Sequence, residues 1–386
     1  MKNEIVVVSA KRSATGKFKG IYKDLSAVKL GTAVLKDALD AISLNPNDVE
    51  YVIMGNVLQA GLGQNPTRQV AIYAGIPFSV PAFTVNEVCG SGLKSIHLGM
   101  QQILLGEAKI VAVGGFENMT LSPILNDRFT SHSNDSIYKD GLTDAFSNMV
   151  MGDTVESLIK EFNISREKQD LFALDSQKRA HFATVNHYFE KEITPIKVKD
   201  LLHTKDEPIR PDTNIDALSH LKTIFDEHGT ITAGNASSIN DGASCLILME
   251  KKEALKRNIP ILATIKSFTE VGIEPERMGL APIYSINNIL NKEKLTLDQI
   301  DLFEINESFA GQVLSVLSKL PIPLEKLNVN GGAIALGHPL GSSGSRIVVS
   351  LIHELNRQNK KLGLASLCVG GGIGMSLLIE GNVNEK

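Results

Sequence analysis

The stretch that decides the fold is residues 85–93, VNEVCGSGL, which places one cysteine between a strand-like and a helix-like segment. A short β-like run precedes it at residues 82–85, and residues 93–105 have helical composition. A thiol at the N-terminus of a helix lies near the positive end of the helix dipole, which favours the thiolate. The flanking glycines permit a sharp turn and the close approach of a substrate. Cys89 is therefore a candidate nucleophile, with the alternative that it is a small buried hydrophobic residue.

Segments of these two kinds alternate along the chain on both sides of the cysteine. Apolar runs predict strands at residues 4–10, 49–58, 82–85, 109–113, 244–249, 263–271, 302–305, 327–329, 364–368 and 375–379. Helical periodicity predicts helices at residues 25–42, 65–74, 93–105, 169–180, 251–257, 283–290, 309–317 and 347–355. Strands that alternate with helices indicate parallel β–α units, so we predict an α/β fold.

The chain also contains a weak internal repeat. SGLKSI opens a helix that leads to AVGGFENM, and SGSRIV opens a later helix that leads to CVGGGIGM. We therefore predict two similar halves, residues 1–258 and 259–386. Residues 119–239 are more polar, with short apolar runs, and are predicted to form a loop-rich insertion. A duplicated fold favours an active site where the two halves meet.

Composition excludes several classes of function. The 386 residues carry a net charge of -4, and no long basic run occurs, which argues against nucleic-acid binding. The three cysteines are widely spaced and form no CxxC pair, so we predict neither a disulfide framework nor a metal site. No stretch approaches the length of a membrane span, the N-terminal apolar run is too short for a signal peptide, and the C-terminus carries no peroxisomal address. We predict a cytoplasmic protein.

Three further residues are candidates for chemistry. His338 lies in the glycine-rich run GHPLGSSG, which lacks the Lys-Ser/Thr ending of a P-loop but suits a rigidly held base. Cys368 ends an apolar strand before three glycines, whereas Cys245 lies within an apolar strand and is predicted to be a core residue. Asn306 follows a predicted strand at its C-terminal end, where α/β folds place their sites, although a helix N-cap is the alternative.

Six separated motifs together resemble the thiolase family. They are NEVCGSGL, GGFENM, TAGNASSINDGA, NESFA, GGAIALGHPLGSSGSR and CVGGGIG, in the order that thiolases have them. The resemblance covers essentially the whole chain and is closest to the acetyl-CoA acetyltransferases. It implies a layered αβαβα arrangement of two βαβαβ-type halves, each with a mixed five-stranded sheet, and an insertion over the site.

The resemblance also implies a role for each candidate residue. Cys89 would be the nucleophile that carries the acetyl group, and His338 would accept its proton. Cys368 would be the second acid/base. His338 and a water held by Asn306 would stabilise an enolate, and the backbone N–H groups of Cys89 and Gly370 would form a second oxyanion hole. Glu307, which follows Asn306, would hold a histidine or water.

The insertion and its neighbours would hold coenzyme A. The positions that match this groove by similarity are Leu142, Arg210, Ala233, Ser237 and Met278. Arg210 suits the phosphates of the coenzyme, with a surface salt bridge as the alternative. Coenzyme A thioesters would be substrates, and no further cofactor is predicted.

The implied reaction is the reversible condensation of two acetyl-CoA molecules to acetoacetyl-CoA and CoA, in a homotetramer. A longer-chain 3-ketoacyl-CoA thiolase is the nearest alternative, and a non-catalytic acyl-CoA-binding protein is the alternative from another class. A ketoacyl carrier-protein synthase is disfavoured by Cys368. Two departures from the family pattern, Val150 before a Met-Gly pair and Ser308 in NESFA, leave the details of coenzyme A binding open.

Overall fold

The structure, a computed structural model, describes residues 4–382. The prediction about a C-terminal peroxisomal address concerns residues that lie outside this range. Within it, no helix combines the length and the apolarity needed to cross a membrane.

The strands are β1 (Ile5–Ser13), β2 (Gly16–Lys17), β3 (Tyr51–Gly55), β4 (Ala82–Val85), β5 (Ile110–Asn118), β6 (Ile124–Asn126), β7 (Ser133–Asp135), β8 (Ile193–Thr194), β9 (Ile196–Val198), β10 (Leu201–His203), β11 (Asn240–Glu250), β12 (Ala263–Gly272), β13 (Leu302–Ile305), β14 (Leu362–Val369) and β15 (Ile373–Gly381). The α-helices are α1 (Ala27–Asp40), α2 (Pro66–Tyr73), α3 (Ser91–Leu105), α4 (Met151–Glu161), α5 (Arg166–Val185), α6 (Ile215–Ser219), α7 (Lys251–Lys256), α8 (Ala281–Glu293), α9 (Ala310–Leu317), α10 (Ala333–Leu336) and α11 (Leu340–Gln358). One π-helical turn spans Ile137–Leu142.

The two halves share one continuous sheet rather than forming separate ones. The strand order is β13-β14-β15-β12-β1-β11-β5-β3-β4, with β2 and β8 attached at the side. Strand β1 joins the halves because it pairs antiparallel with β11 on one side and with β12 on the other. The first half therefore contributes the expected five strands.

The second half contributes four strands, and the predicted strand at residues 327–329 is wrong. Only Leu327 forms a bridge, to Phe303. The next residue, Asn328, has a left-handed φ of 44°. Its side-chain Oδ1 accepts from the N–H of Ile305 and its Nδ2 donates to the carbonyl of Ile305, each at 2.9 Å. Beyond one backbone bond, from the N–H of Asn328 to the carbonyl of Phe303 at 2.9 Å, a side-chain amide thus takes the place of a fifth strand.

Three apolar clusters confirm the predicted layered arrangement. One cluster joins α1 and α2 to the outer face of the first half. A second buries α3 and α11 between the two halves of the sheet. A third packs α8 and α9 on the outer face of the second half. Burial of apolar surface in all three is the main stabilising contribution to this arrangement.

Glycines let the two central helices approach closely at their N-termini. A Cβ on Gly92 of α3 would lie 2.7 Å from the backbone nitrogen of Ser345 in α11. A Cβ on Gly344 of α11 would lie 2.5 Å from the backbone nitrogen of Leu93 in α3. Because neither residue has a side chain, the N-termini of the two helices can lie side by side. The residues just before each start, Cys89 and His338, are thereby brought together.

Residues 119–239 lie between the neighbouring strands β5 and β11, which pair antiparallel. This segment is more helical than predicted, since it contains α4, α6 and the π-helical turn, and α5 is longer than the predicted helix at 169–180. Met151, Val155, Leu158 and Ile159 bury one face of α4, a spacing that gives a short helix a single apolar stripe. The segment covers the end of the sheet where the candidate residues lie.

Candidate active site

One cavity of about 310 Å³ brings together nine of the ten residues predicted for the site. They are Cys89, Leu142, Arg210, Ala233, Ser237, Met278, His338, Cys368 and Gly370. Asn306, the tenth, lies directly behind the wall and is 1% exposed. Residues far apart in sequence therefore converge on one pocket between the halves and the insertion, as expected for a site at the junction of a duplicated fold.

Cys89 is presented by a strained turn at the start of α3. The residue before it, Val88, has a left-handed φ of 45°, which a β-branched residue rarely adopts. The Oγ of Ser91 accepts from the N–H of Glu87 at 2.8 Å and donates to the carbonyl of Val88 at 2.7 Å. Surrounding hydrogen bonds hold this conformation, and such strain clusters at functional sites. The turn fixes the direction of the thiol.

The surroundings of Cys89 act on the pKa of its thiol in two opposite directions. Burial is the largest effect on the pKa of Cys89 and, together with the neighbouring Cys368, raises it to about 12. The backbone N–H groups of Gly370 and of Cys89 itself act in the opposite direction, because they stabilise negative charge on the sulfur. Desolvation outweighs these donors, so the sulfur is protonated at neutral pH.

The hydrogen bonds of His338 determine its tautomer. Its Nδ1 lies 2.6 Å from the Oγ of Ser343, and that hydroxyl donates its only proton to the carbonyl of Pro339 at 2.9 Å. The hydroxyl must therefore accept from Nδ1–H, which leaves the lone pair on Nε2. Nε2 is buried and has no hydrogen-bond partner among the described residues. Burial, aided by the charge of Arg346, lowers the pKa of His338 to about 3, so the imidazole is neutral.

The second thiol, Cys368, lies near the end of β14 and is 2% exposed. Burial raises the pKa of Cys368 to about 11, while a hydrogen bond with Ser308 lowers it. The Oγ of Ser308 lies 3.7 Å from the sulfur of Cys368 and accepts from the Nδ2 of Asn306 at 3.1 Å. The side chain of Ser308 thus separates Asn306 from the cavity.

The carboxylate of Glu307 has three hydrogen-bond partners among the described residues, and none of them is a histidine. Its carboxylate accepts from the Oγ of Ser176 at 2.7 Å, from Nδ2 of Asn328 at 2.8 Å and from the N–H of Ile334 at 3.2 Å. It therefore fixes the loop that precedes His338 to α5 and to the end of β13. Its function in the fold is to position the glycine-rich loop.

The predicted coenzyme groove follows the insertion from the cavity to the surface. The exposed Arg210 is anchored by its backbone N–H, which donates to Oε1 of Gln177 at 2.7 Å. Among the ion pairs of residues 4–382, none involves Arg210, so the salt-bridge alternative is not observed and its charge is available to an anion. The backbone N–H of Ser237 donates to the carbonyl of Ser308 at 2.9 Å, which ties the groove to the catalytic wall.

The wall beside Cys89 is apolar. Buried Leu58, Met119, Ile137 and Leu340 form one cluster against which Cys89, Leu142 and Ile239 pack. Val150, one of the two departures noted in the sequence, also lines the cavity. Neither this wall nor Ser343 was predicted from the sequence, because their contacts with Cys89 and His338 arise only after folding.

Comparison with known proteins agrees with this geometry. Family models described as "Thiolase, N-terminal domain" and "Thiolase, C-terminal domain" match residues 5–252 and 259–381. The chain is 46% identical to a probable acetyl-CoA acyltransferase of Staphylococcus aureus strain N315, over 97% of this chain and 98% of that protein.

Two solved structures are similar along the whole chain. A Bacillus anthracis acetyl-CoA acetyltransferase gives a TM-score of 0.97 at 38% identity, covering 99% of both chains. Human mitochondrial 3-ketoacyl-CoA thiolase gives 0.95 at 41% identity, covering 98% of this chain and 99% of that one. The similarity is thus about equal for an acetyl-CoA acetyltransferase and for a 3-ketoacyl-CoA thiolase.

Proposed function

Because this chain belongs to the thiolase family, we propose that it catalyses the reversible condensation of two acetyl-CoA molecules to acetoacetyl-CoA and CoA. The observation that carries the proposal is one cavity lined by two cysteines and by a histidine whose Nε2 is unpaired within the described residues. Acyl transfer through a thioester needs a nucleophile and its base, and carbon–carbon bond formation needs a second acid/base. All three groups are present in this cavity.

In the first half-reaction, Nε2 of His338 takes the proton of Cys89. The resulting thiolate attacks the carbonyl of acetyl-CoA, and the N–H groups of Cys89 and Gly370 stabilise the oxyanion. The C–S bond to coenzyme A breaks, and the leaving thiolate takes a proton from Cys368. The products are acetyl-Cys89 and free CoA, and the site retains an imidazolium and a Cys368 thiolate.

The second half-reaction requires a base and a hydrogen-bond donor, and the first half-reaction leaves both in the site, as the Cys368 thiolate and the imidazolium. Burial disfavours either charge alone, as the pKa values of about 3 for His338 and about 11 for Cys368 indicate. Formed together in one cavity, the two opposite charges stabilise each other. The Cys368 thiolate then removes the α-proton of a second acetyl-CoA. The imidazolium of His338 donates a hydrogen bond from Nε2–H to the enolate oxygen and keeps its proton at this stage. Attack on acetyl-Cys89 releases acetoacetyl-CoA, and the Cys89 thiolate recovers its proton from His338.

A longer 3-ketoacyl-CoA is the second candidate substrate, because the apolar cluster beside Cys89 could accommodate additional methylene groups. A purely acyl-CoA-binding protein is disfavoured, since binding alone does not require two thiols and an unpaired imidazole nitrogen in one cavity. Relative rates of thiolysis of acetoacetyl-CoA and of a longer 3-ketoacyl-CoA distinguish the two substrate classes.

The deciding experiment is intact-mass spectrometry after brief incubation with acetyl-CoA. Wild type should gain one acetyl group and lose it when excess CoA is added, whereas Cys89→Ser should gain no thioester. Cys245→Ser is the matched control, because Cys245 is a fully buried residue of β11 and is not part of the cavity wall. Retention of the adduct in Cys89→Ser would contradict the assignment of the nucleophile.

We further propose a homotetramer, a cytoplasmic location and a division into residues 1–258 and 259–386. Light scattering of the purified protein would test the oligomeric state. Separate expression of the two segments would test whether either one folds without the other; β1 pairs with both β11 and β12, so we expect neither to do so.

A further inference from the structure

Ser308 links two residues of the site that do not otherwise touch. Its Oγ accepts from Nδ2 of Asn306 at 3.1 Å and lies 3.7 Å from the sulfur of Cys368. Among the hydrogen bonds of the described residues, this is the one that reaches that sulfur from a side chain. Ser308 is 7% exposed and contributes to the cavity wall.

The direction of the hydrogen bonds follows from the chemistry of the sulfur. A thiolate can only accept, so when Cys368 is ionised the contact is a hydrogen bond in which the hydroxyl of Ser308 is the donor. The lone pair of that oxygen is then free to accept from the amide of Asn306, which is the arrangement observed. A donor that is itself hydrogen-bonded is polarised, which strengthens its bond to an anion.

The backbone holds Ser308 in this place. Its carbonyl accepts from the N–H of Ser237 at 2.9 Å, and the N–H of Ala310 donates to the carbonyl of Asn235 at 2.9 Å. Phe309, the next residue, bridges Ala236. The hydroxyl therefore stays beside the sulfur without any contribution from a bound substrate.

We propose that Ser308 is a positioning residue that relays the Asn306 amide to the sulfur of Cys368 and stabilises the thiolate that abstracts the α-proton. This inference rests on the proposed function, in which Cys368 is the acid/base. It gives the amide of Asn306 an indirect part, through the hydroxyl of Ser308.

The first test measures the thiolate of Cys368 without any coenzyme A ester. In a Cys89→Ser background, the rate of alkylation of Cys368 by iodoacetamide is followed against pH by peptide mass spectrometry. Adding Ser308→Ala should raise the midpoint by about one pH unit, equivalent to about 1.4 kcal/mol. Adding Ser308→Thr, which keeps a hydroxyl, should restore the midpoint. Ser238→Ala, in the same wall, is the matched control and should leave the midpoint unchanged, because the hydroxyl of Ser238 donates to Oδ1 of Asn240 at 2.9 Å and not to Cys368.

The other titratable or charged groups of the cavity are constant in this comparison. They are Tyr138, Arg210 and His338, with Cys89 replaced by serine throughout. Met151, Met278 and Phe309, which pack with Cys368, carry no charge. A shift confined to the Ser308→Ala protein therefore reports the hydroxyl itself.

The second test separates the two half-reactions in the otherwise native enzyme. Wash-in of deuterium at the α-carbon of acetyl-CoA reports Cys368, and exchange of labelled CoA into acetyl-CoA reports acylation of Cys89. Ser308→Ala should slow deuterium wash-in about tenfold, more than it slows CoA exchange, and Ser308→Thr should recover most of the rate. Equal slowing of both reactions, or an unchanged alkylation midpoint, would overturn the inference. Absence of CoA exchange in wild type would instead overturn the proposed function, and the alkylation result would still decide the role of the hydroxyl.

Discussion

The hydrogen bond between His338 and Ser343 gives the sharpest prediction about the first half-reaction. Because the Ser343 hydroxyl donates to Pro339, it can only accept from the imidazole, and this contact selects the tautomer with a free Nε2. Ser343→Ala removes the acceptor and leaves a buried N–H unpaired. The alternative tautomer, which carries the proton on Nε2 and cannot act as a base, then becomes competitive.

The size of the effect follows from the burial of this pair. Ser343 is fully buried and His338 is 6% exposed, so solvent does not replace the lost acceptor freely. An unsatisfied buried donor costs about 1–3 kcal/mol. If that cost destabilises the tautomer with a free Nε2, acetylation of Cys89 should slow by about 5- to 150-fold.

The assay is rapid-quench acetylation of Cys89 by excess acetyl-CoA, read by intact mass. Ser342→Ala is the matched control, because Ser342 is a buried neighbour in α11 that bonds to the hydroxyl of Ser244 at 2.9 Å and not to the histidine. Ser342→Ala should acetylate at a rate near that of wild type. If the two serine variants acetylate equally fast, the tautomer argument is refuted.

Two further predictions concern stability. The pKa of His338 is lowered to about 3 in the folded protein. Below the ordinary pKa of about 6.5, the unfolded chain therefore binds a proton that the folded protein does not bind, so stability should fall as the pH drops. His338→Gln should reduce this pH dependence by up to about 1.4 kcal/mol per pH unit, measured in melts between pH 6.5 and 5. A steeper dependence in the variant would contradict this sign. Gly115→Ala would drive a methyl group into the carbonyl oxygen of Gly341, at the contact of β5 with α11, and should destabilise the fold by about 1–3 kcal/mol or more. Gly272→Ala, where a Cβ meets nothing within 4 Å, is the control, and comparable melting temperatures for the two glycine variants would argue against close packing there.

The sequence predicted short, apolar strands accurately and failed where a tertiary contact replaced a local one. Ala82–Val85 and Leu302–Ile305 have the predicted bounds, because flanking prolines or polar residues delimit them. The run at 327–329 is equally apolar, yet the side chain of Asn328 takes the hydrogen bonds of Ile305 that a strand would use. The hydrophobic periodicity of a sequence does not show that a side-chain amide will take the place of backbone hydrogen bonds.

The same distinction applies to the site. Cys89, His338 and Cys368 were found because each lies within two residues of a glycine, and this signal is local. The contacts of Ser308 and Ser343 arise only after folding, since a serine beside a glycine motif has no feature that distinguishes it from a turn residue. The roles of all these residues remain predictions, and the experiments above address Cys89, Ser308 and Ser343 directly.

The electrostatics of the cavity explain why the proposed chemistry would need both halves of the molecule. At neutral pH the two thiols and the imidazole are all uncharged, since burial raises the pKa values of Cys89 and Cys368 to about 12 and 11 and lowers that of His338 to about 3. A site that disfavours every single charge can ionise only in pairs. The first half supplies Cys89, and the second supplies His338 and Cys368, so proton transfer across the junction of α3 and α11 creates both charges at once. A cavity assembled within one half would lack either the nucleophile or the two groups that move its protons.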